Sequence, residues 1–232
     1  MLNTSRIQAI SLDLDDTLWP VWPAIERAEA CLLQWLADHA PATLALYPST
    51  LALRAVREQL EAERPDLRHD LSALRRESIR RALGHAGDDP ALAEAAFEVF
   101  FAARQRVDFY PDALPALAWL AARWPLVALS NGNADVHRVG IGAHFKAALS
   151  AREFGVAKPD PRIFHAAAQT VGVAPEAVLH VGDDALLDVV AGVHAGMQAV
   201  WVNRAGHPWA HAVQPHLAVA ELQALCRALE AG

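Results

Sequence analysis

Three carboxylates crowd the segment Asp13-Leu14-Asp15-Asp16-Thr17, which follows directly on the largely apolar, β-branched run 7–12. Carboxylates this close repel one another, so each resists ionisation unless a cation or hydrogen-bond donors compensate. Carboxylate oxygens are the ligands with which proteins hold Mg²⁺, and Mg²⁺ in turn binds phosphate oxygens. The segment therefore predicts a metal-assisted phosphoryl-transfer site at the end of a strand.

Further polar groups follow later strand-like runs in the same way. Ser130-Asn131-Gly132 comes after the apolar run 126–130, and Gly182-Asp183-Asp184 comes after the run 178–181, with Asp188 about one helical turn further on. Lys158 precedes Pro159 in a loop before the next helix. Open parallel sheets bind ligands at the carboxyl ends of their strands, so we expect these groups to meet at one rim.

Hydrolysis of a phosphate ester needs a nucleophile, a proton donor for the leaving group and positive charge around the phosphoryl oxygens. We assign Asp13 as the nucleophile, which would form an aspartyl-phosphate, and Asp15 as the acid and base. The expected Mg²⁺ ligands are Asp13, Asp183 and the backbone carbonyl of Asp15. Four side chains are expected to contact the phosphoryl oxygens: Thr17, Ser130, Asn131 and Lys158. Individually these residues are also typical of turns, helix caps or a solvated lysine.

The elements around these residues indicate an α/β fold with a doubly wound parallel sheet. Short apolar runs at 126–130, 147–149, 178–181 and 199–202 alternate with helical segments near 161–172 and 186–195. Strands that are apolar on both faces and separated by helices favour a parallel sheet covered on both sides. The run 7–12 is its expected first strand.

Residues 23–108 differ, because strand-like runs vanish and Ala, Leu, Arg and Glu recur at helical spacing. We predict an all-helical insert with helices at 24–39, 50–63, 70–83 and 90–106, and with breaks near 41–48, 65 and 84–89. The predicted domains are a catalytic core, 1–22 with 109–232, and the helical insert, 23–108. A helix over 112–123 should open the return to the core.

The bulk composition narrows the possible partners. The 232 residues are 53% hydrophobic and 20% charged, with a net charge of −7, which disfavours nucleic acid and anionic membrane surfaces. No signal or membrane-spanning run precedes Asp13, so a cytoplasmic protein is expected. Cys31 and Cys226 lack metal-ligand or redox spacing. We expect a monomer or homodimer that acts on a small phosphorylated metabolite.

At this point the chain resembles phosphatases of the haloacid dehalogenase superfamily over nearly its whole length. The segments that carry the resemblance are, in chain order, Asp13-Leu14-Asp15-Asp16-Thr17, Leu129-Ser130-Asn131-Gly132, Val156-Ala157-Lys158-Pro159 and Gly182-Asp183-Asp184 with Asp188. The resemblance implies a Rossmann-like core, Mg²⁺ and a helical C1-type cap after the first motif. It also implies that Lys158 neutralises the nucleophile and the phosphate, and that Asp188 supports the lysine or the waters on the metal. Asp184 would touch a metal-bound water or cap a helix, and Asp16 would belong to the turn.

Within the superfamily, several segments look most similar to bacterial phosphatases of flavin metabolism: Asn131-Gly132-Asn133-Ala134, His180-Val181-Gly182-Asp183-Asp184, His69-Asp70, Leu74-Arg75 and Ser78-Ile79. This likeness implies 5-amino-6-(5-phospho-D-ribitylamino)uracil or flavin mononucleotide as substrate. For specificity, the helix of Arg75 could bind an anionic or carbonyl-rich group, and Trp19 could stack on a heteroaromatic ring. The competing interpretations are a solvated arginine face and simple packing of the indole.

Three other functions stay open. The same scaffold supports metal-independent dehalogenation of haloacids, although Asp15 argues against it because a halide leaves without protonation. A phosphosugar mutase would transfer the phosphoryl group to a sugar phosphate rather than to water. A non-catalytic protein that binds a phosphorylated ligand is disfavoured by the intact set of Asp13, Asp15, Lys158 and Asp183.

Overall fold

The computed structural model describes all 232 residues and contains one six-stranded parallel sheet. The strands are β1 (Ala9–Leu12), β2 (Leu126–Ser130), β3 (Ala147–Ser150), β4 (Val178–Gly182), β5 (Gln198–Val202) and β6 (Leu217–Val219). Their order in the sheet is β3-β2-β1-β4-β5-β6. Every residue of β1, β2, β4 and β5 is buried. Burial on both faces explains why these strands read as continuous apolar runs, and the predicted α/β class is confirmed.

The segment after β1 forms the helices α1 (Val21–His39), α2 (Pro41–Leu46), α3 (Thr50–Glu63), α4 (Leu71–Ala86) and α5 (Ala93–Arg104). Ser49 and Asp70 cap α3 and α4 by accepting hydrogen bonds from backbone N–H groups in the first turn. The short helix α2 lies where the sequence predicted a break, because Pro41 stands at its first position, where a proline is tolerated.

The remainder of the chain supplies α6 (Ala113–Ala121), α7 (Val136–Val139), α8 (Ala151–Phe154), α9 (Pro161–Thr170), α10 (Ala191–His194) and α11 (Leu222–Glu230). The helical segment predicted near 186–195 is observed as a π-helical turn, Ala185–Val190, followed directly by α10. Ile163 and Phe164 on α9 pack in one cluster with Ala9 and Val127 of the sheet. The sequence prediction missed β6 and α11.

The chain divides into two compact units, Met1–Pro20 with Phe109–Gly232, and Val21–Asp108. The first contains the sheet and is called the catalytic unit below; the second contains α1 to α5 and is called the helical unit. The helical unit has its own core, which includes Leu32, Leu36, Leu83, Phe97 and Phe100. None of the helices combines the length and the apolar character needed to cross a membrane.

The helical unit also contains Arg75, which the sequence prediction considered for substrate binding. Arg75 is 5% exposed, and its Nη1 lies 3.5 Å from Oε1 of the buried Glu29 while its guanidinium lies over the ring of Phe100. Burial, together with the nearby charge of Arg57, lowers the pKa of Arg75 to about 10. Arg75 therefore belongs to the interior of the helical unit, and neither a solvated face nor an exposed anion receptor describes it.

Candidate active site

The first acidic segment leaves β1 in a tight loop. The Asp13 N–H donates to the carbonyl of Val181 at 2.9 Å and so continues the sheet pairing for one residue. Asp16 then adopts a left-handed backbone with φ 58°, and its N–H donates to the carbonyl of Trp19 at 2.7 Å. Left-handed backbone is tolerated by aspartate better than by most residues. The loop thereby places Asp13 and Asp15 at the carboxyl end of the sheet, with Asp16 in the turn.

Trp19 orients the carboxylate of Asp15. Its Nε1–H donates to Asp15 Oδ1 at 2.8 Å, and its ring meets Phe109 edge-on with centroids 5.4 Å apart. The indole is fully buried. A buried ring offers no face to a substrate, so the proposed stacking role is corrected to one of packing and of orienting Asp15.

Lys158 reaches the same place from the loop before α9. The Asn131 side chain fixes this loop: its Oδ1 accepts from the Lys158 N–H at 2.7 Å and its amide donates to the Lys158 carbonyl at 2.9 Å. The Lys158–Pro159 peptide is cis. The buried ammonium of Lys158 donates at 2.6 Å to both Asp13 Oδ1 and Asp188 Oδ1. Asn131 was predicted to bind phosphate, and the structure shows its side chain engaged by this loop.

Asp183 is held at both its side chain and its backbone. Thr17 Oγ1 donates to Asp183 Oδ1 at 3.0 Å, and Trp201 Nε1 donates to the Asp183 carbonyl at 2.7 Å. Arg204 continues this support, because its Nη2 donates to the Thr17 carbonyl at 2.9 Å and its guanidinium pairs with Asp112. Thr17, predicted as a phosphate contact, thus orients Asp183.

Asp184 and Asp188 have separate tasks. Asp184 Oδ1 accepts the N–H groups of Leu186 and Leu187, so Asp184 caps the π-helical turn. Asp188 folds back onto the end of β4, where a Cβ on Gly182 would lie 2.3 Å from its carboxyl carbon. Glycine at this position therefore makes room for Asp188 beside Lys158.

The second motif is shaped by a similar close approach. A Cβ on Gly132 would lie 2.4 Å from Asp15 Oδ2, so the glycine lets that carboxylate approach the backbone. The Gly132 N–H donates to Ser130 Oγ at 2.9 Å. Ser130 Oγ would lie 3.2 Å from the same Cβ, so Ser130 and Asp15 lie together on one side of Gly132.

The charges of the site do not balance. Burial and the nearby Asp188 and Asp183 raise the pKa of Asp13 well above its usual range, against the opposing effect of Lys158. Burial and Asp188 likewise raise the pKa of Asp183 to about 7. Burial alone would lower the pKa of Lys158, but the two carboxylates that it bonds, Asp13 and Asp188, raise this pKa overall. Burial alone would raise the pKa of Asp188, but Lys158 and His180 lower it overall. One ammonium therefore faces three carboxylates.

This imbalance fits a divalent cation. Carboxylate oxygens of Asp13, Asp183 and Asp188 lie within 4.8 Å of one another. Asp188 already receives hydrogen bonds at both oxygens, from Lys158 and His180 at Oδ1 and from the Asp184 N–H at Oδ2. Asp13 and Asp183 are consequently the side chains suited to hold Mg²⁺, which prefers oxygen ligands and keeps several waters.

These groups surround one cavity of about 170 Å³ in the catalytic unit. Its lining residues are Asp13, Asp15, Ser130, Asn131, Gly132, Lys158, Asp183, Asp184, Leu187 and Asp188. Pockets that enclose a whole drug-sized ligand measure roughly 300–1,000 Å³. This cavity suits a phosphoryl group and an ion, and it does not by itself specify the rest of a metabolite.

The prediction from sequence missed Ser11, His180, Trp201 and Arg204, which support the lining residues from behind. A usable signal was present for two of them. Ser11 and His180 interrupt β1 and β4, strands that are otherwise built from apolar residues and glycine, and both are buried. A buried polar group requires a hydrogen-bond partner, so two such residues in a central sheet indicate a polar network.

Comparison with known proteins settles the family. The model of the haloacid dehalogenase-like hydrolases matches residues 7–196, which is most of the chain and includes all four motifs. The chain belongs to this family. The resemblance inferred from the motifs is thereby confirmed, and the phosphatase relatives described next support assigning the protein as a phosphatase of the family.

Individual relatives and solved structures also belong to this family, although their described activities differ. The chain is 34% identical over 228 residues to the 5-amino-6-(5-phospho-D-ribitylamino)uracil phosphatase YigB of Escherichia coli, covering 95% of each chain. It is 39% identical over 151 residues to a phosphoserine phosphatase of Thermus thermophilus, covering 62% of this chain and 61% of that one. A solved structure described as a 2-haloacid dehalogenase from Pseudomonas syringae pv. Tomato is 38% identical, with a TM-score of 0.88 and coverage of 97% and 98%.

Proposed function

We propose that the protein hydrolyses a small phosphomonoester with the help of Mg²⁺ and through an aspartyl-phosphate on Asp13. The observation that carries the proposal is the contact of the buried Lys158 ammonium with Asp13 at 2.6 Å, in the same cavity as Asp15 and Ser130. The Lys158 ammonium favours the ionised form of Asp13 against the burial that raises its pKa, and only the ionised form is a nucleophile.

The other side chains of the site act in the two chemical steps of the proposed reaction. In the first, Asp13 attacks phosphorus while Asp15, in its protonated form, gives its proton to the departing alkoxide oxygen. In the second, the Asp15 carboxylate takes a proton from water, which attacks the aspartyl-phosphate and releases inorganic phosphate. Ser130 and Lys158 bind the phosphoryl oxygens. When bound by Asp13, Asp183 and the carbonyl of Asp15, Mg²⁺ would supply positive charge for the same oxygens.

For the substrate, we propose 5-amino-6-(5-phospho-D-ribitylamino)uracil, with flavin mononucleotide as a related alternative. The support is the relative named for the first compound, which matches over 95% of both chains, whereas the phosphoserine phosphatase matches over about three fifths of each. A likeness that extends over the helical unit is informative, because the cavity of the catalytic unit is too small to select the organic part of a substrate.

The test is phosphate release from a panel of phosphomonoesters that includes both compounds, phosphoserine and phenyl phosphate, with Mg²⁺ and with a chelator. The proposal predicts Mg²⁺-dependent release, with the highest kcat/KM for the ribitylamino-uracil phosphate. A preference for phosphoserine would overturn the substrate assignment but keep the reaction. Transfer to a sugar phosphate instead of water would establish a mutase, and tight binding of esters without turnover would establish a non-catalytic receptor.

Hydrolytic dehalogenation is a second candidate because one structural relative with a TM-score of 0.88 is described as a 2-haloacid dehalogenase. Asp13 could displace a halide as it displaces an alkoxide. Asp15 and the surplus of carboxylates weigh against this activity, since a halide needs neither a proton donor nor a cation. Chloride release from 2-chloropropionate in the presence of chelator would support it, and its absence alongside phosphate release would exclude it.

A further inference from the structure

A buried polar pair lies behind the cavity and does not line it. Ser11 on β1 and His180 on β4 are register partners in adjacent parallel strands, and they are 1% and 0% exposed. Ser11 Oγ lies 2.8 Å from His180 Nδ1, and the imidazole packs edge-on against Phe164. Two polar side chains in the middle of an apolar sheet are costly unless they are paired, so this arrangement calls for a reason.

The hydrogen bonds fix which ring nitrogen carries the proton. His180 Nε2 lies 3.1 Å from Asp188 Oδ1, and an ionised carboxylate can only accept. Nε2 must therefore be the donor, and Nδ1 of the neutral ring accepts the proton of the Ser11 hydroxyl. The Asp188 carboxylate thus selects the tautomer that presents an N–H to it, and Ser11 holds the other ring nitrogen.

Asp188 has two possible roles, and its partners decide between them. Its carboxylate lies close enough to Asp13 and Asp183 to join them around a cation. However, His180 and Lys158 both occupy Oδ1, and the Asp184 N–H occupies Oδ2. The three donors orient the carboxylate toward Lys158, which itself contacts the nucleophile Asp13.

We propose that His180, held in place by Ser11, is a positioning residue that keeps Asp188 on Lys158 and out of the coordination of the metal. Hydrogen bonds then connect the interior of the sheet to the reacting carboxylate, in the order Ser11, His180, Asp188, Lys158 and Asp13. Each side chain orients the next. Without the imidazole, Asp188 is free to turn toward the cation, which would bind more tightly while Lys158 loses its fixed position. The proposal rests on the proposed function, since it assigns Mg²⁺ to Asp13 and Asp183.

The test measures metal binding and turnover separately in His180→Leu and His180→Gln. In His180→Leu, calorimetric titration should show Mg²⁺ binding tightened by about tenfold while kcat for phenyl phosphate falls by at least about tenfold. KM should stay within about twofold, because the phosphate-binding groups remain. The Gln variant retains an N–H donor at a similar reach and should recover most of both values. A merely structural role would weaken metal binding and turnover together.

Two further variants keep the test decisive. Ser11→Ala removes the hydroxyl that holds Nδ1 of His180, so it should shift both quantities in the same directions by about threefold, even if His180→Leu does not fold. His165→Leu is the matched control. His165 is exposed on α9 and bonds the carbonyl of Ala195, so its replacement should leave both quantities unchanged. Loss of Mg²⁺ binding in His180→Leu, or a Gln variant no better than Leu, would overturn the proposal. If the wild type hydrolyses no ester, the proposed function fails, while the calorimetric result still decides the role of His180.

Discussion

The two units of the molecule both bury charged side chains, yet they balance them differently. In the helical unit the buried Glu29 is bonded by Arg54 at 2.8 Å and by Arg75 at 3.5 Å, so the carboxylate is fully compensated. In the catalytic unit Lys158 alone faces the carboxylates of Asp13 and Asp188, with Asp183 close by. Buried charge alone therefore does not mark a catalytic site. An uncompensated set of carboxylates around a cavity does, because it requires a ligand that the chain does not supply.

The largest expected effect comes from replacing the proposed nucleophile, Asp13. Asp13→Asn should abolish hydrolysis, by at least about a thousandfold in kcat, because the amide cannot form the aspartyl-phosphate. The variant should keep its far-ultraviolet circular dichroism, since the amide fits the same space. Glu29→Gln, the corresponding change in the helical unit, should retain turnover. Activity of Asp13→Asn near the wild-type level would refute the assigned mechanism.

Replacing one buried basic side chain in each unit compares the two charge balances directly. Lys158→Met leaves buried carboxylates uncompensated and should lower the free energy of unfolding by about 3–5 kcal/mol without metal. Arg75→Met should cost only about 1 kcal/mol, because Arg54 still bonds Glu29. Mg²⁺ should restore part of the loss in Lys158→Met and none in Arg75→Met. Urea unfolding with and without Mg²⁺ measures the free energy of unfolding of both variants. Equal stabilisation of the two variants by Mg²⁺ would contradict the comparison.

The surplus of carboxylates also predicts a pH dependence of the metal-free protein. The pKa of Asp183 is raised from its ordinary value of 3.8 to about 7 by burial and by Asp188. The folded state therefore binds more protons than the unfolded state in this window, so the contribution of Asp183 is fully present below pH 3.8 and is lost as the pH rises to about 7. We expect the melting temperature of the wild type relative to Asp183→Asn to fall across that range in chelator. A difference that is flat or rises would show that the carboxyl is not destabilised by its neighbours.

The smallest expected effect concerns the residues that hold Asp183. Trp201→Phe keeps a buried ring but removes the N–H that donates to the Asp183 carbonyl at 2.7 Å. The loss of one neutral hydrogen bond should lower stability by about 1 kcal/mol and weaken Mg²⁺ binding by severalfold. Trp119→Phe, a change at a half-buried indole on α6 that does not line the cavity, is the control and should leave Mg²⁺ binding unchanged. Unchanged Mg²⁺ binding in Trp201→Phe would mean that Thr17 alone orients Asp183.

The sequence was sufficient for the parts of the structure that local pattern controls. The strand Leu126–Ser130 and the helix Thr50–Glu63 were predicted with their observed bounds, because apolar runs and helical spacing reflect burial directly. The meeting of Asp13, Asp15, Lys158 and Asp183 around one cavity was predicted from their positions at, or in a loop beside, the carboxyl ends of parallel strands. The edge strand β6 was missed because Leu217–Val219 is too short to show a pattern.

The sequence was insufficient where a role depends on which partner a side chain meets. Thr17 and Asn131 were assigned to phosphate, yet the first bonds Asp183 and the second bonds the Lys158 backbone. Trp19 was considered as a stacking surface, yet it is buried against Phe109 and bonds Asp15. Residue type and spacing place such groups near the site, but the distinction between contacting a ligand and orienting a neighbour depends on tertiary packing.

The most direct test of the account is a calorimetric titration of Mg²⁺ into the wild type, Asp183→Asn and Glu29→Gln at pH 7.5. The account predicts one binding site in the wild type, its loss in Asp183→Asn and no change in Glu29→Gln, because only the catalytic unit has carboxylates without compensation. A Mg²⁺ affinity that survives in Asp183→Asn, or that disappears in Glu29→Gln, would contradict the claim that this charge imbalance defines the active site.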